Sequence, residues 1–344
     1  MVPYPARLLT LVVALVASGV LLACTGFFAS EPSAPELAAA RQQLSDGQLP
    51  EAMATFRALH EAHPGSAEAA SGLAYTLLLA DRLTEADEVL AGVGQSSEVA
   101  LRRAVIAKRR GDFDGVREHG LASATPVGQV LAAEVLLIDL EVPRAIEVLS
   151  EVAAQEGVAG ETAREYLALV RHDDPIVRSL ANPVALWSLG ARQDACEGAD
   201  RILRKLSADE DRSKRLLLWA GRAVTSGLPR ISRGMVEEAV SVPAEHRWRA
   251  QATLAMVEVA EGNAKAGLRI FDSLRAARRG VPADGLDDAR VTACGLARDP
   301  AVAERLVDGI DTPAAARCLL EAGAVEAARA RRSDPALGRL LENL

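Results

Sequence analysis

Two histidines lie close together near the end of a helical stretch, where a correctly spaced pair could bind a metal ion. They belong to the segment His60-Glu61-Ala62-His63. A zinc ion held on one helix face needs two histidines four residues apart, so that both rings reach the same ion. These two are three residues apart, and Pro64 ends the helix immediately after them. We therefore expect exposed histidines at a helix end, and we predict no metal site.

A second group of residues that could take part in catalysis or bind a metal is the segment Arg171–Asp174, which reads Arg-His-Asp-Asp. These residue types could form an acid/base pair or a metal site. The segment stands just before Pro175, where a charged helix end followed by a turn is the more ordinary arrangement. An envelope enzyme or small-ligand receptor with a site around residues 172–192 is therefore kept as an alternative function.

The sequence contains no Gly-x-Ser-x-Gly elbow, phosphate-binding loop or Cys/His cluster. It accordingly predicts no catalytic residue and no cofactor. The three tryptophans are candidates for binding anchors. Trp187 and Trp219 lie in apolar helical runs, which is typical of core residues. Trp248 stands between Arg247 and Arg249 and is the better candidate for a contact with a partner.

The cysteines carry little sign of metal or redox chemistry. Cys196, Cys294 and Cys318 are far apart in sequence and lie in helical patterns, where a cysteine is usually a small buried apolar residue. A secreted protein could pair two of them, and Cys294 with Cys318 is then the most plausible couple because they lie on neighbouring helical units. The pattern favours unpaired thiols but leaves the pairing open.

The fourth cysteine, Cys24, follows an export signal. A short head with one positive side chain, Met1–Arg7, precedes the uncharged stretch Leu8–Ala23. The end of that stretch, Leu21-Leu22-Ala23-Cys24, resembles the lipobox of bacterial lipoproteins. The resemblance implies that residues 1–23 are a signal peptide and that Cys24 receives diacylglycerol and a further acyl chain such as palmitate. Two or three acyl chains anchor a protein stably.

Two features modify this expectation. Leu22 stands where the lipoprotein family usually has Ala or Ser, and the uncharged run continues to Ala29, so an uncleaved transmembrane anchor is the alternative.

Thr25 follows Cys24 at the position where an Asp favours retention in the inner membrane of enteric bacteria. We therefore expect an outer-membrane protein facing the periplasm in a Gram-negative organism, and otherwise the outer face of the cytoplasmic membrane. Residues 24–35 are predicted to be the lipidated N-terminus and a flexible tether.

Composition favours a helical repeat protein. Hydrophobic residues make up 49% of the chain but aromatic residues only 3%, so Ala, Leu and Val must fill the core. Small side chains allow the close helix packing that repeat arrays need. The formal charge of −8 argues against general binding to nucleic acid.

An internal repeat supports this class. Residues 46–56 align without gaps with residues 80–90, a spacing of 34 residues. The pattern resembles the tetratricopeptide repeat, in which each unit is a pair of antiparallel helices. Ala52, Phe56 and Pro64 stand where that family has a small residue, a large apolar residue and a closing proline. Ala and Phe four residues apart place a hollow and a knob on one helix face.

Weaker copies follow the first two repeats, and residues 160–245 are helical in pattern without a clear match. We predict an all-α fold, an α-solenoid of antiparallel helix pairs forming a tetratricopeptide-like superhelix. Tetratricopeptide-like repeats are expected in residues 36–158 and irregular ones in residues 159–344, with a capping helix at 335–344.

The repeat resemblance implies a partner-binding groove lined by the first helix of each pair. Tyr75 is the most informative candidate because its amphipathic ring suits a partner contact, although it could instead pack between repeats. The full set carried over from the family is Arg41, Leu44, Ser71, Tyr75, Leu78, Leu101, Val105, Lys108 and Met256. By resemblance, the chain is a non-catalytic scaffold or adaptor for an unidentified protein partner of the cell envelope.

Overall fold

The computed structural model describes residues 32–207, 209–239, 247–277 and 281–329, and every regular element in these ranges is an α-helix. The predicted signal peptide 1–23, the predicted lipidation site Cys24 and the predicted capping helix 335–344 lie outside the described residues. The helices are α1 Ala34–Ser45, α2 Leu49–Ala62, α3 Ala67–Leu79, α4 Leu83–Ala91, α5 Ser97–Arg110, α6 Phe113–Ala122, α7 Pro126–Ile138, α8 Val142–Ala153, α9 Val158–Val170, α10 Pro175–Arg178, α11 Ala181–Ser188, α12 Arg192–Leu203, α13 Glu210–Thr225, α14 Pro229–Glu238, α15 Arg247–Ala260, α16 Ala264–Ala277, α17 Ala283–Leu296, α18 Pro300–Leu306, α19 Pro313–Glu321 and α20 Val325–Arg329.

Many helices begin at a residue whose side chain bonds to the first turn. Free backbone N–H groups at a helix start need such acceptors, and a capping oxygen stabilises the helix by about 1 kcal/mol. In α3, α5, α6 and α7 the side-chain oxygen of the capping residue accepts a hydrogen bond from the backbone N–H three residues later. These capping residues are Ser66, Ser96, Asp112 and Thr125. The first helix begins at Ala34, inside the segment expected to be a tether, and the Ser33 N–H donates to Glu36 Oε2 at 3.0 Å.

One turn geometry recurs within the helix pairs. A residue with positive φ stands between the two helices, and the N–H that follows it donates to a carbonyl five positions earlier, which is the Schellman arrangement. The Asp112 N–H, for example, donates to the Ala107 carbonyl at 2.9 Å. The residues with positive φ in these turns are Gly47, Asp81, Gly111, Leu140, Gly190, Gly227, Gly262 and Gly323. The shared turn reverses the chain in the same way each time and produces antiparallel pairs.

The helix pairs build two compact units, which among the described residues run from 32 to 165 and from 166 to 329, and the division falls within α9. In the first unit, the first helices of successive pairs, α1, α3, α5 and α7, pack against one another. In the second unit the same is true of α13, α15, α17 and α19. Each unit is therefore an α-solenoid of antiparallel helix pairs, which confirms the predicted fold class. The predicted division after residue 158 falls at the start of α9.

The repeat residues quoted from the sequence form the core of the first unit. Ala52 and Phe56 of α2 are buried, as are Ala86 and Leu90 of α4. The Phe56 ring lies against Gly72 of α3, where a methyl group would overlap it. The small residues thus mark the points where neighbouring helices approach most closely.

The irregular middle of the sequence also forms helix pairs. Helices α11 and α12 pack together, as do α13 and α14. In α14 the fully buried Ser232 occupies the position that alanine or glycine fills in most other pairs, which explains why the sequence pattern was unclear. Trp219 of α13 is buried in this part of the core.

A disulfide joins α17 to α19 through Cys294 and Cys318, whose Cα atoms are 6.1 Å apart. The expectation that these thiols are unpaired was therefore wrong. It failed because the two helices are successive first helices and pack directly, which sequence separation does not reveal. Cys196 is a free buried cysteine, as expected. None of the helices in the described ranges has the length and apolarity required to cross a bilayer.

Candidate functional site

In the part of the second unit that the structure describes, a cleft of about 310 Å³ lies between the first helices α13, α15 and α17. We call it the α13–α17 cleft. Its lining is mainly apolar, with two cationic side chains. The lining residues are Lys214, Leu217, Leu218, Gly221, Trp248, Arg249, Ala252, Thr253, Met256, Gly285 and Ala289.

Trp248 forms one wall of the cleft. Its indole lies over Gly285 of α17, where an added Cβ would come within 2.6 Å of the ring. The Arg249 guanidinium carbon is 5.5 Å from the centre of the same ring, within cation–π distance. The absence of a side chain at Gly285 is therefore what allows the indole to lie between α15 and α17.

Leu218 supplies exposed apolar surface in the cleft. Its side chain is 58% exposed, whereas the adjacent Leu217 is buried. A single exposed leucine on a convex surface needs no explanation. Inside an apolar cleft, however, it adds to a continuous surface that an incoming apolar side chain could cover.

The cations of the cleft differ in their partners. Lys214 forms an ion pair with Glu210, one turn earlier on α13. Arg249 forms no ion pair with any described residue and extends from the wall formed by Trp248. The arrangement offers an apolar floor with positive charge at its edge and brings no acid and base together.

The first helices of the first unit carry a different contact. The Arg102 guanidinium of α5 lies 4.4 Å from the centre of the Tyr75 ring of α3, and it approaches Glu98 at 3.5 Å. Burial lowers the pKa of Arg102 from its ordinary value, although the guanidinium remains charged. Tyr75 therefore packs between successive repeats while keeping part of its ring at the surface.

Three of the predicted groove residues do not lie at the surface, contrary to the expectation that they line an open groove. Ser71, Leu78 and Leu101 are buried, so they offer almost no surface to a partner. The reason is that α3 and α5 pack against each other directly, and Leu78 joins the apolar core there.

The other predicted groove residues lie at or near the surface, with one exception. Met256 is also largely buried, but it lines the α13–α17 cleft. Leu44, Tyr75, Val105 and Lys108 are half-buried. Arg41 is exposed and pairs with Glu68 of α3 at 2.6 Å. A role for these residues in partner binding stays a prediction.

The residues that suggested acid/base or metal chemistry have structural roles. Asp174 Oδ1 accepts the Ile176 N–H at 2.7 Å and starts α10, and the Asp174 N–H donates to His172 Nδ1 at 3.1 Å. His60 and His63 are half-buried at the end of α2, more enclosed than expected. Over the ranges that the structure describes, no three His, Cys, Asp or Glu side chains are grouped to hold a metal ion.

Sequence reasoning missed the contribution of α13 to the cleft. Lys214, Leu217 and Gly221 lie in a segment that does not match the repeat. The available signal was the turn: Gly227 precedes Leu228-Pro229 and marks a helix pair in the same way as Gly111 and Gly262 do. Counting back from that glycine would have placed α13 among the first helices.

The match to one family model agrees with the repeat architecture of the first unit. The model of the tetratricopeptide repeat family matches residues 43–114, which contain α2 to α5. Among solved structures, the TPR domain of P58(IPK) matches with 14% identity and a TM-score of 0.25, covering 90% of this chain and 96% of that chain. No curated protein gives a significant match. Residues 43–114 are thus similar to the tetratricopeptide repeat family.

Proposed function

We propose that this chain is a lipid-anchored scaffold of the cell envelope, which binds a protein partner through its tetratricopeptide-like repeats. The observation that carries the proposal is the α13–α17 cleft, because it lies between first helices and combines an apolar floor with exposed Leu218. Clefts of this size and character accept apolar side chains of a ligand. The fold itself favours protein–protein interaction over catalysis.

Export to an oxidising compartment is supported by two independent features. Disulfides persist in secreted and periplasmic proteins and are rare in the cytosol. The Cys294–Cys318 bond lies in the core of the second unit, where it links two packed helices. The lipobox-like sequence ending at Cys24 supplies the second feature. Together they favour a chain that is anchored at a membrane and folds outside the cytoplasm.

Site-directed photo-crosslinking tests the binding role. A photoreactive amino acid replaces Leu218 in the full-length protein in its native membrane, and a matched control replaces Leu140, an exposed leucine in a turn of the first unit. We expect discrete crosslinked products from position 218 that are lost when Trp248→Ala is added. Identical products at both positions, or none at position 218, would contradict binding in the cleft.

The anchor is tested by mass spectrometry of the mature N-terminus. We expect cleavage before Cys24 and the added mass of a diacylglycerol with a further acyl chain. The Cys24→Ala variant should then leave the membrane fraction or retain its leader. An intact, unmodified leader on the wild-type protein would replace the lipid anchor with the transmembrane alternative.

A further inference from the structure

Four side chains of the second unit form a tryptophan–arginine cluster, defined as Trp187, Arg192, Trp219 and Arg222. The two indoles meet edge to face, with ring centres 6.1 Å apart. The guanidinium carbon of Arg222 lies 4.6 Å from the centre of Trp219 and 5.4 Å from the centre of Trp187. Arg192 approaches Trp187 as well, at 5.7 Å. Two cations thus converge on one indole.

Arg222 differs from Arg212 and Arg233, two other half-buried arginines of this unit, because it has no carboxylate partner among the described residues. Arg212 pairs with Glu238 at 2.8 Å, and Arg233 pairs with Glu258 and Glu261 at 2.9 and 2.6 Å. Within the described part of the chain, the Arg222 guanidinium forms no ion pair or hydrogen bond, and neither does that of Arg192. The cluster therefore holds two positive charges without a negative one.

Among the described residues, no carboxylate lies within ion-pair distance of Arg222, and the ionisable groups that interact with its guanidinium are the Cys196 thiol and the Tyr166 phenol. The thiol of Cys196 is near enough to interact electrostatically, but burial raises its pKa to about 11, so it stays protonated at neutral pH. Burial also lowers the pKa of Arg222, which shows that the guanidinium is partly removed from water. Cation–π contacts offset part of this loss of hydration. An anion bound to the N–H groups of the Arg222 guanidinium would offset a larger part of the lost hydration.

The cluster is next to the α13–α17 cleft. Arg222 is four residues after Leu218 on α13, so the two side chains lie on the same face of the helix. A ligand that covers Leu218 therefore brings its neighbouring groups toward Arg222. Inorganic phosphate would use only the charge of this surface, whereas an acidic peptide uses both the charge and the adjacent apolar surface.

We propose that the tryptophan–arginine cluster binds a side-chain carboxylate of an acidic segment in the protein partner, with an apolar residue of that segment seated on Leu218. The inference rests on the proposed function and specifies the chemistry of its ligand. Guanidinium N–H donors lie in the plane of the group, so Arg222 can remain over the indoles while it donates two parallel bonds to a carboxylate. Arg192 adds a second positive charge at the same indole.

The three tryptophans allow the two sites to be observed separately in the intact protein. Fluorine-labelled tryptophan gives one NMR signal for each, and single Trp→Phe variants assign them. Trp187 and Trp219 report on the cluster, and Trp248 reports on the cleft. The probes are a synthetic peptide of three Glu-Glu-Leu repeats, its Gln-Gln-Leu counterpart and inorganic phosphate, all at equal ionic strength.

We expect the Glu-containing peptide to shift the Trp187 and Trp219 signals saturably, with an affinity at least about tenfold above that of the Gln-containing peptide. Arg222→Gln should weaken binding of the Glu-containing peptide about tenfold. Arg222→Lys keeps the charge but cannot form the paired bonds, so it should also weaken binding. Arg230→Gln removes an exposed arginine of α14 and should leave binding unchanged.

Three outcomes would overturn the carboxylate site. The first is equal affinity of folded Arg222→Gln, Arg222→Lys and wild-type protein for the Glu-containing peptide. The second is saturation of the Trp187 and Trp219 signals by phosphate but not by this peptide. The third is a shift of Trp248 alone by both peptides, which would leave the proposed apolar cleft intact while removing the carboxylate site. Circular dichroism of each variant establishes that it is folded.

Discussion

At the scale of single residues, Gly72 marks a close contact between α2 and α3 of the first unit. An added Cβ there would overlap the Phe56 ring, which is buried in the core. Overpacking of a close-packed core costs about 1–3 kcal/mol. The glycine is therefore a packing residue, and the sequence pattern singled out its partner Phe56 but not Gly72 itself.

We predict that Gly72→Ala lowers the free energy of unfolding by about 1–3 kcal/mol. Chemical denaturation followed by circular dichroism measures the change. Gly221→Ala is the matched control, because that helical glycine has no atom within 4 Å of an added Cβ. In the control the better helix propensity of alanine should raise stability by up to about 1 kcal/mol. Equal effects of the two substitutions would contradict the packing role of Gly72.

At the scale of helices and turns, the recurring feature is the left-handed residue that joins the two helices of a pair. Glycine adopts positive φ without steric cost, whereas another residue pays roughly 1–2 kcal/mol. Leu140 occupies this place between α7 and α8 with φ of 63° and a side chain that is 74% exposed. Its side chain therefore gains little from packing to offset the unfavourable backbone.

We predict that Leu140→Gly raises the free energy of unfolding by about 1 kcal/mol, because it removes the left-handed strain. The gain is reduced by the greater entropy of glycine in the unfolded chain. Thermal and denaturant unfolding measure it. The reciprocal substitution Gly111→Leu, in the equivalent turn between α5 and α6, should lower stability by a similar amount. Lower stability of Leu140→Gly would show that the leucine makes a contact that outweighs the strain.

At the scale of the whole molecule, most contacts join helices that are neighbours in the chain. In such an array each part is stabilised mainly by its nearest neighbours, and local stability can change without a global effect. The Cys294–Cys318 bond is a suitable perturbation, because both cysteines lie within the second unit and are 24 residues apart. A cross-link closing a loop of that length stabilises a protein by about 3 kcal/mol.

We predict that the double variant Cys294→Ala, Cys318→Ala accelerates hydrogen exchange in α17 to α19 and leaves exchange in α2 to α5 unchanged. Exchange measured by mass spectrometry at peptide resolution tests this. Cys196→Ala serves as a control for removing a buried thiol that is not in a disulfide. Faster exchange throughout both units would mean that the chain unfolds as a single cooperative block.

The sequence alone was sufficient to predict the helical class, the pairing of helices and the burial of the repeat residues. These follow from spacings of three, four and 34 residues, and such spacings report on one helix face or one repeat at a time. Ala52, Phe56, Ala86 and Leu90 are in the core because each is determined by its own helix pair.

Tertiary structure alone decided which surfaces remain open and which distant side chains meet. Ser71 and Leu78 are on the predicted helix face but are buried, because the neighbouring first helix packs closer than a single repeat reveals. The α13–α17 cleft, the disulfide and the contact of Arg222 with Trp187 each combine residues from different helix pairs. Their formation depends on how successive pairs pack, and a pattern confined to one helix does not contain that information.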